Sequence, residues 1–307
     1  MNEPAVHNQF CLYRIIGNNI PRFHGEHEAQ TLLRFILQHE EDFLDCEKWF
    51  VLNRIVDPSA EKQIVRILET NHRNILRIPF LKEEYARVPS NSEDIPWRGT
   101  SLIVRRAMMK SARRTLLAHA LYRNKINYVA NSNGARNFAL QHGRDRARWV
   151  LPFDGACFMP SHAWLEMAER IAAHPDAKYA VVPMARLNDN VSILNDDAPC
   201  VADEEPQVAF RNDAQERFDP EVPYGRRSKV DLLWRLGVPG PWDLWTQHTW
   251  DFPRPSRSLE ADSVITAGWV ARLNAGGQHS RRPTRRVEAI VSFIEALDRR
   301  TLRQAPL

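Results

Sequence analysis

The stretch "WVLPFDG", residues 149 to 155, is an apolar run that stops at an acid, Asp154, and is followed by Gly155. A carboxylate fixed at the carboxyl end of a buried strand is placed to hold a divalent cation, and a glycine after it lets the chain turn and a ligand approach. An oxygen-only site that leaves positions open for phosphate suits Mg2+ or Mn2+. Upstream, "GARN" (Gly134 to Asn137) opens a helix. A helix N-terminus with a guanidinium, Arg136, favours negative charge. Taken singly, an Asp-Gly pair is most often a turn and such a helix start is common; the order in which they follow one another carries the weight.

The elements that must position these residues read as alternating strands and helices. "QFCLYRII" is a strand stopped by "GNNIP"; "EHEAQTLLRFILQHEEDF" has apolar residues at helical spacing; "EKWFVLNRIV" and "NILRIPF" are buried strands. Between these last two, "DPSAEKQIVRILETN" begins with Asp57 as N-cap and Pro58 at the first helical position. Strand, helix, strand, helix, strand predicts a parallel α/β sheet, and in such sheets ligands bind beyond the carboxyl ends of the strands. Residues 82 to 98 read as an irregular loop and 100 to 125 as one long helix. "INYVAN" and "ARWVLPFDG" bracket the helix near Gly134, "SHAWLEMAERIAAHP" is a helix, "KYAVVPMARLND" and "QVAFR" are strands, and two helices are expected to close the chain.

With 307 residues and 43% hydrophobic composition the chain can bury a substantial core. No apolar stretch reaches the length of a membrane span, and Met1 to Gln9 lack the pattern of a signal peptide, so a cytoplasmic, at most membrane-peripheral, placement is expected. Cys11, Cys46, Cys157 and Cys200 are widely spaced and read as ordinary thiols. The net charge is only +4, but Arg outnumbers Lys several-fold, which suits an anionic ligand or reflects codon usage. Arg281, Arg282, Arg285 and Arg286 form the clearest basic cluster, a solvated helix start or a contact with phosphate or an anionic membrane. The cations are otherwise dispersed, without a nucleic-acid-binding motif.

"NGARNFALQHGRDRARWVLPFDGACF" resembles the GT-A glycosyltransferases, in particular family 2, whose pattern is G-x-x-x-A-R-N-x-(G/A)-L followed by an apolar strand ending in a D-x-D-type acid. Ala135, Arg136, Asn137, Ala139 and Leu140 match the first half, and Trp149 to Phe153 with Asp154 the second. Two weaker matches support it: "VLNRIVDPSAE", with Asn53 and Asp57 in the positions of acids that cradle uridine, and "RFDPEVPYGRRSKVDLLWRLG", which looks like the G-F-D-E and E-D-x-D-L segment. The resemblance implies a Rossmann-like α/β/α sandwich with a mainly parallel sheet. Residues 1–205 would form the nucleotide-sugar-binding core, continuous with an acceptor-side segment and C-terminal helices over 206–307.

The implied activity is transfer of a sugar from a nucleotide-sugar, expected to be a UDP-sugar, to a glycan, lipid-linked or other hydroxyl acceptor, assisted by Mn2+ or Mg2+. The alternatives are a sugar-phosphate nucleotidyltransferase, whose Gly-rich loop is missing from "YRIIGNNIPRFHG", and a scaffold that has lost catalysis. The donor site is expected on Arg14, Asn18, Asn53 and Asp57, with Asn133, Arg136 and Asn137 from the helix start. Metal is expected on Asp154, completed by His248 or, less favoured, His279. Two departures stand out. The D-x-D is reduced to Asp154-Gly155-Ala156, and Ser228 and Lys229 occupy the E-D positions that usually supply the base. The base is therefore sought at Asp219 and Glu221, then Asp243. Trp242, Trp245 and Trp250 are offered as sugar-stacking or packing residues, and the loop carrying Trp97 and Arg98 as a cover for the donor.

Overall fold

The computed structural model describes residues 8–21, 25, 27–90, 111–194, 202, 204–222, 224, 228–245, 252–274 and 283–302. His248, His279, Trp97, Arg98, Trp250, Arg281, Arg282 and Cys200 lie outside the described residues.

The first half alternates as the apolar periodicity predicts. Strand β1 (Asn8–Ile16) is followed by α1 (Glu28–His39), β2 (Cys46–Asn53), α2 (Pro58–Thr70) and β3 (Asn74–Ile78). Asp57 caps α2, accepting from the Ser59 N–H at 2.9 Å. Next come α3 (Lys82–Arg87), α4 (Ser111–Leu121), α5 (Arg123–Val129) and α6 (Ser132–Gly143). Thus the start of the expected loop is helical, and "INYV" is helix despite its β-branched and aromatic residues, because Ile126 and Val129 pack against Ile290 and Ile294 of the C-terminal helix. Strands β4 (Ala147–Asp154) and β5 (Cys157–Phe158), α7 (Ser161–Ala172), β6 (Tyr179–Arg186) and β7 (Glu204–Arg211) follow. The chain continues through α8 (Val230–Arg235), β8 (Val264–Thr266), β9 (Val270–Arg272) and α9 (Pro283–Leu302). The described end of the chain therefore holds two short strands and one long helix where two helices were expected.

Strand order is β3-β2-β1-β4-β7-β6-β9-β5, with β8 paired to β6. β1 to β4 pair in parallel, β7 runs antiparallel to both β4 and β6, and β8 and β9 are parallel to β6. Because β7 is reversed, its first residues lie at the edge where its neighbours end. The β6–β7 pairing also shifts register between Val182 and Met184, a bulge that sets Glu204 opposite Met184.

Side chains leave the sheet on alternate faces, and β1 shows the consequence. Cys11, Tyr13 and Ile15 pack with Ala139, Leu140 and Trp234 of α6 and α8, whereas Phe10 and Leu12 pack with Trp164 and Met167 of α7. On the α7 face, α1 and α2 cover β2 through Leu33, Ile64 and Leu68. The result is a three-layer α/β/α sandwich whose sheet is mostly parallel. α9 docks beside α4 and α5 rather than forming a separate unit.

Candidate active site

A cavity of about 220 Å3 opens along the carboxyl edge of the sheet. It lies where the strand order reverses between β1 and β4, the position at which ligands enter open α/β sheets. Ile16 ending β1 and Gly17 after it, Asn53 ending β2, Asp154 ending β4, Glu204 starting β7 and Arg272 ending β9 all line it.

Asp154 is the centre of its floor. One carboxylate oxygen accepts from Arg136 Nη2, and the other from Lys229 Nζ and Gln207 Nε2, each at 3.1 Å. Gln207 Oε1 in turn accepts from the Asp154 N–H at 3.1 Å, so a strand side chain grips both ends of the residue. Burial alone would raise this carboxyl; the Lys229 ammonium and then the Arg136 guanidinium reverse that and hold it well below the usual carboxylate range. Gly155 sits against β1, its N–H donating to the Ile15 carbonyl at 3.0 Å, and a Cβ there would lie 2.6 Å from the same oxygen.

The polar opening of α6 now has an account. Asn131 caps it, accepting from the Gly134 N–H at 2.7 Å. Asn133 holds Arg136 Nη1 at 2.7 Å and donates to the carbonyls of Asp219 and Ser228. One turn on, Asn137 binds both the N–H and the carbonyl of Phe218, at 3.0 and 2.7 Å. Asn133 and Asn137 thus fasten the segment leading to Lys229, while Arg136 reaches the floor. Neither asparagine lines the cavity.

The other expected residues divide. Asn53 is 3% exposed, lines the cavity and donates to the Asn131 carbonyl at 3.1 Å, but its buried Oδ1 has no partner. Asn18 lines the cavity while bracing the loop, donating to the carbonyls of Arg54 and Val129 and accepting from the Val56 N–H. Arg14 is on the opposite face of β1, buried against Glu40 and the Cys157 carbonyl. Asp57 is an exposed cap away from the cavity. Asp219, Glu221 and Asp243 do not line it either: Asp219 Oδ1 accepts from the Glu221 N–H, and Asp243 receives the Gly240 N–H, Trp234 Nε1 and an Arg254 guanidinium. Trp242 is core; Trp245 is at the surface outside the cavity.

Of the second half of the site, sequence reasoning named only Arg286, within the basic cluster offered as a phosphate contact. Glu204 takes Arg186 Nε at 2.6 Å and Arg272 Nη1 at 3.1 Å, Arg272 and Arg286 line the cavity, and Glu28 and Glu205 are its other carboxylates. Arg272 in "WVARLN" and Gln207 in "EEPQVAF" are polar residues inside apolar runs, and that was their available signal. As for a metal, both Asp154 oxygens are engaged by cations, and among the described residues no group of three or more His, Cys, Asp or Glu is arranged to hold an ion. In this arrangement the Asp154 carboxylate is already satisfied by cations and does not fit as a metal ligand.

Comparison with known proteins adds solved structures only. TarS 1-349 of S. aureus in complex with UDP aligns over 97% of this chain and 67% of its own, at 12% identity and a TM-score of 0.44. The mannosyltransferase PcManGT of Pyrobaculum calidifontis, in complex with GDP-Man and Mn2+, aligns over 99% and 78%, at 13% identity and a TM-score of 0.42. Other alignments span 51% of TarS 1-349 and 31% of TarS, so the chain matches about half or less of those structures. No protein-family model matches the sequence, and no curated protein matches it. Among the described residues no helix is long and apolar enough to cross a membrane.

Proposed function

We propose that this chain is a glycosyltransferase that moves a sugar from a nucleotide-sugar donor to a hydroxyl acceptor. The observation that carries this reading is the pairing of two chemistries in one cleft at the strand-order reversal. At the β2 side, the unpartnered Asn53 Oδ1 awaits a ligand donor, such as a base N–H or a ribose hydroxyl, since a buried acceptor left unmade costs about 1–3 kcal/mol. At the β4 and β9 side, cations suited to phosphate line the wall. UDP is the first donor nucleotide to test, as the sequence resemblance implies.

In the transfer, the bond from the anomeric carbon to the diphosphate oxygen breaks, and the nucleoside diphosphate leaves with the electron pair. The acceptor oxygen bonds to that carbon and loses a proton, which needs a base. Asp154 and Glu204 are each held between two cations and are poor proton acceptors. Glu28, in the first turn of α1, lines the cleft, accepts from the Gly25 N–H at 3.0 Å, and is raised by burial, the direction that suits a base near neutral pH. We assign it that role. Glu28→Gln is expected to lower kcat by about 10²–10⁴-fold while nucleotide affinity stays near the parent's; an unchanged kcat removes the assignment.

The reading as a whole is tested by calorimetry with a panel of nucleoside diphosphates, followed by sugar-transfer assays with the nucleotide that binds. Binding, and release of that nucleoside diphosphate from its sugar conjugate, is the expected result. Absence of binding by every nucleotide to the folded protein, with EDTA or with Mn2+, overturns it.

A further inference from the structure

Two ion clusters meet at the carboxyl edge of the sheet. In one, Asp154 lies between Arg136 and Lys229; in the other, Glu204 lies between Arg186 and Arg272. The β6–β9 register sets Arg186 directly opposite Arg272, and like charges in that relation are unfavourable. Glu204 offsets one of them. Each cluster therefore keeps one positive charge in excess, and the two clusters are near enough for Arg272 and Asp154 to influence each other's ionisation. Arg286, on α9, adds a further cation to the same wall. Glu28 and Glu205 are the carboxylates that oppose this charge from the same cleft.

Lys229 is the informative member. Its side chain is 5% exposed, and it reaches the Asp154 carboxylate and the Glu205 carbonyl, at 3.1 and 2.9 Å, from the segment fastened by Asn133. A buried ammonium is costly unless it is paired; Lys229 shares the one Asp154 carboxylate with Arg136, and it lies on the wall of the cleft. Lys229, which stands where the resemblance implies an acid, thus meets Asp154, beside which the resemblance implies a second acid that this sequence lacks.

We propose that the diphosphate of the donor is held by side-chain cations, with Lys229 and Arg272 taking the part that a bridging divalent ion would otherwise take. The inference rests on the donor reading above. Arg272 supplies a planar fork that matches two phosphate oxygens, and Lys229 supplies a compact charge. The same groups stabilise the charge that gathers on the departing diphosphate. Asp154 is then a positioning residue that fixes Lys229 and Arg136, not a metal ligand.

The test is titration of the full chain with UDP and GDP by calorimetry, once in EDTA and once in Mn2+. The expected result is binding in EDTA by at least one nucleotide, with a Kd within about threefold of that in Mn2+, and a loss of about tenfold or more in EDTA for Lys229→Met and for Arg272→Met. Arg272→Lys, which keeps charge but not the fork, should fall between parent and Arg272→Met. Binding that appears only with Mn2+ overturns this inference and leaves the donor reading standing. Undiminished binding by folded variants also overturns it. No binding in either medium overturns both. The comparison of media needs no variant, so a substitution that fails to fold leaves the test intact.

Discussion

Two of the described carboxylates, Glu40 and Asp154, are each gripped by one arginine and one lysine that are themselves largely buried, and they serve opposite ends. Glu40 lies between Arg14 and Lys48, and its side chain is 2% exposed. It also accepts from the Met159 N–H at 2.9 Å, which ties α1 to the chain after β5. Asp154 lies between Arg136 and Lys229, is 29% exposed, and faces the cleft. In both, burial works against ionisation and the neighbouring cations overcome it. At Glu40 the arginine is the more deeply buried partner, 2% exposed against 10% for Lys48. Similar side chains thus make a fastening in one place and a floor for an anion in the other. What separates them is access to solvent and the second, uncompensated cluster beside Asp154.

The sharpest way to break this comparison is Glu40→Ala. It strands the buried Arg14 guanidinium and should cost about 3–5 kcal/mol of folding stability, read from urea denaturation, while nucleotide affinity of the folded protein stays unchanged. A loss under about 1 kcal/mol would mean that the Glu40 cluster is not the fastening described. Asp154→Asn should cost less, about 1–2 kcal/mol, because the site is partly open to water and the amide keeps one acceptor. If it destabilises as much as Glu40→Ala, the two clusters are alike.

Acid separates them more finely. Both carboxyls are lowered in the folded state, so each adds stability that is complete above the unfolded value, about pH 4, and is lost as pH falls below it. The melting temperature of the parent should therefore drop steeply below about pH 4. Asp154→Asn should flatten part of that descent, and an identical slope in parent and variant would contradict its lowered pKa. The smallest effect belongs to the brace under the floor. Asn137→Ala removes both bonds to Phe218 and should cost about 1–2 kcal/mol, with a weaker effect on nucleotide affinity than Lys229→Met; the reverse order would place the anion contact on α6.

The parts of the fold written in periodic patterns were legible. Apolar runs marked β1 to β4, helical spacing or a recognisable start marked α1, α2, α6 and α7, and Asp57 behaves as the cap its sequence context predicts. α5 was obscured by its β-favouring residues, and β8 and β9 were missed because strands of three residues have no period to detect. In the site, Asp154, Arg136 and Asn53 could be read because each ends or begins a recognisable element. Arg14 was misplaced by parity: as an even residue of β1 it shares the face of Phe10 and Leu12. Lys229, Glu204 and Arg272 come from three separate segments joined only by the reversal of β7 and the pairing of β9. A charged residue in a sequence does not announce a partner that distant.

The bulge between Val182 and Met184 has one more consequence. It loosens the start of β7 from the regular ladder while residues 207–210 keep their pairing with β6. Glu205, which lines the pocket and contributes only its carbonyl to Lys229, can therefore be exchanged with little disturbance to the strands that set the sheet's order. For an engineer, this is a one-residue dial: neutral or basic replacements there would shift the charge of the pocket and alter which anions it accepts, while Glu204 keeps the facing arginines paired.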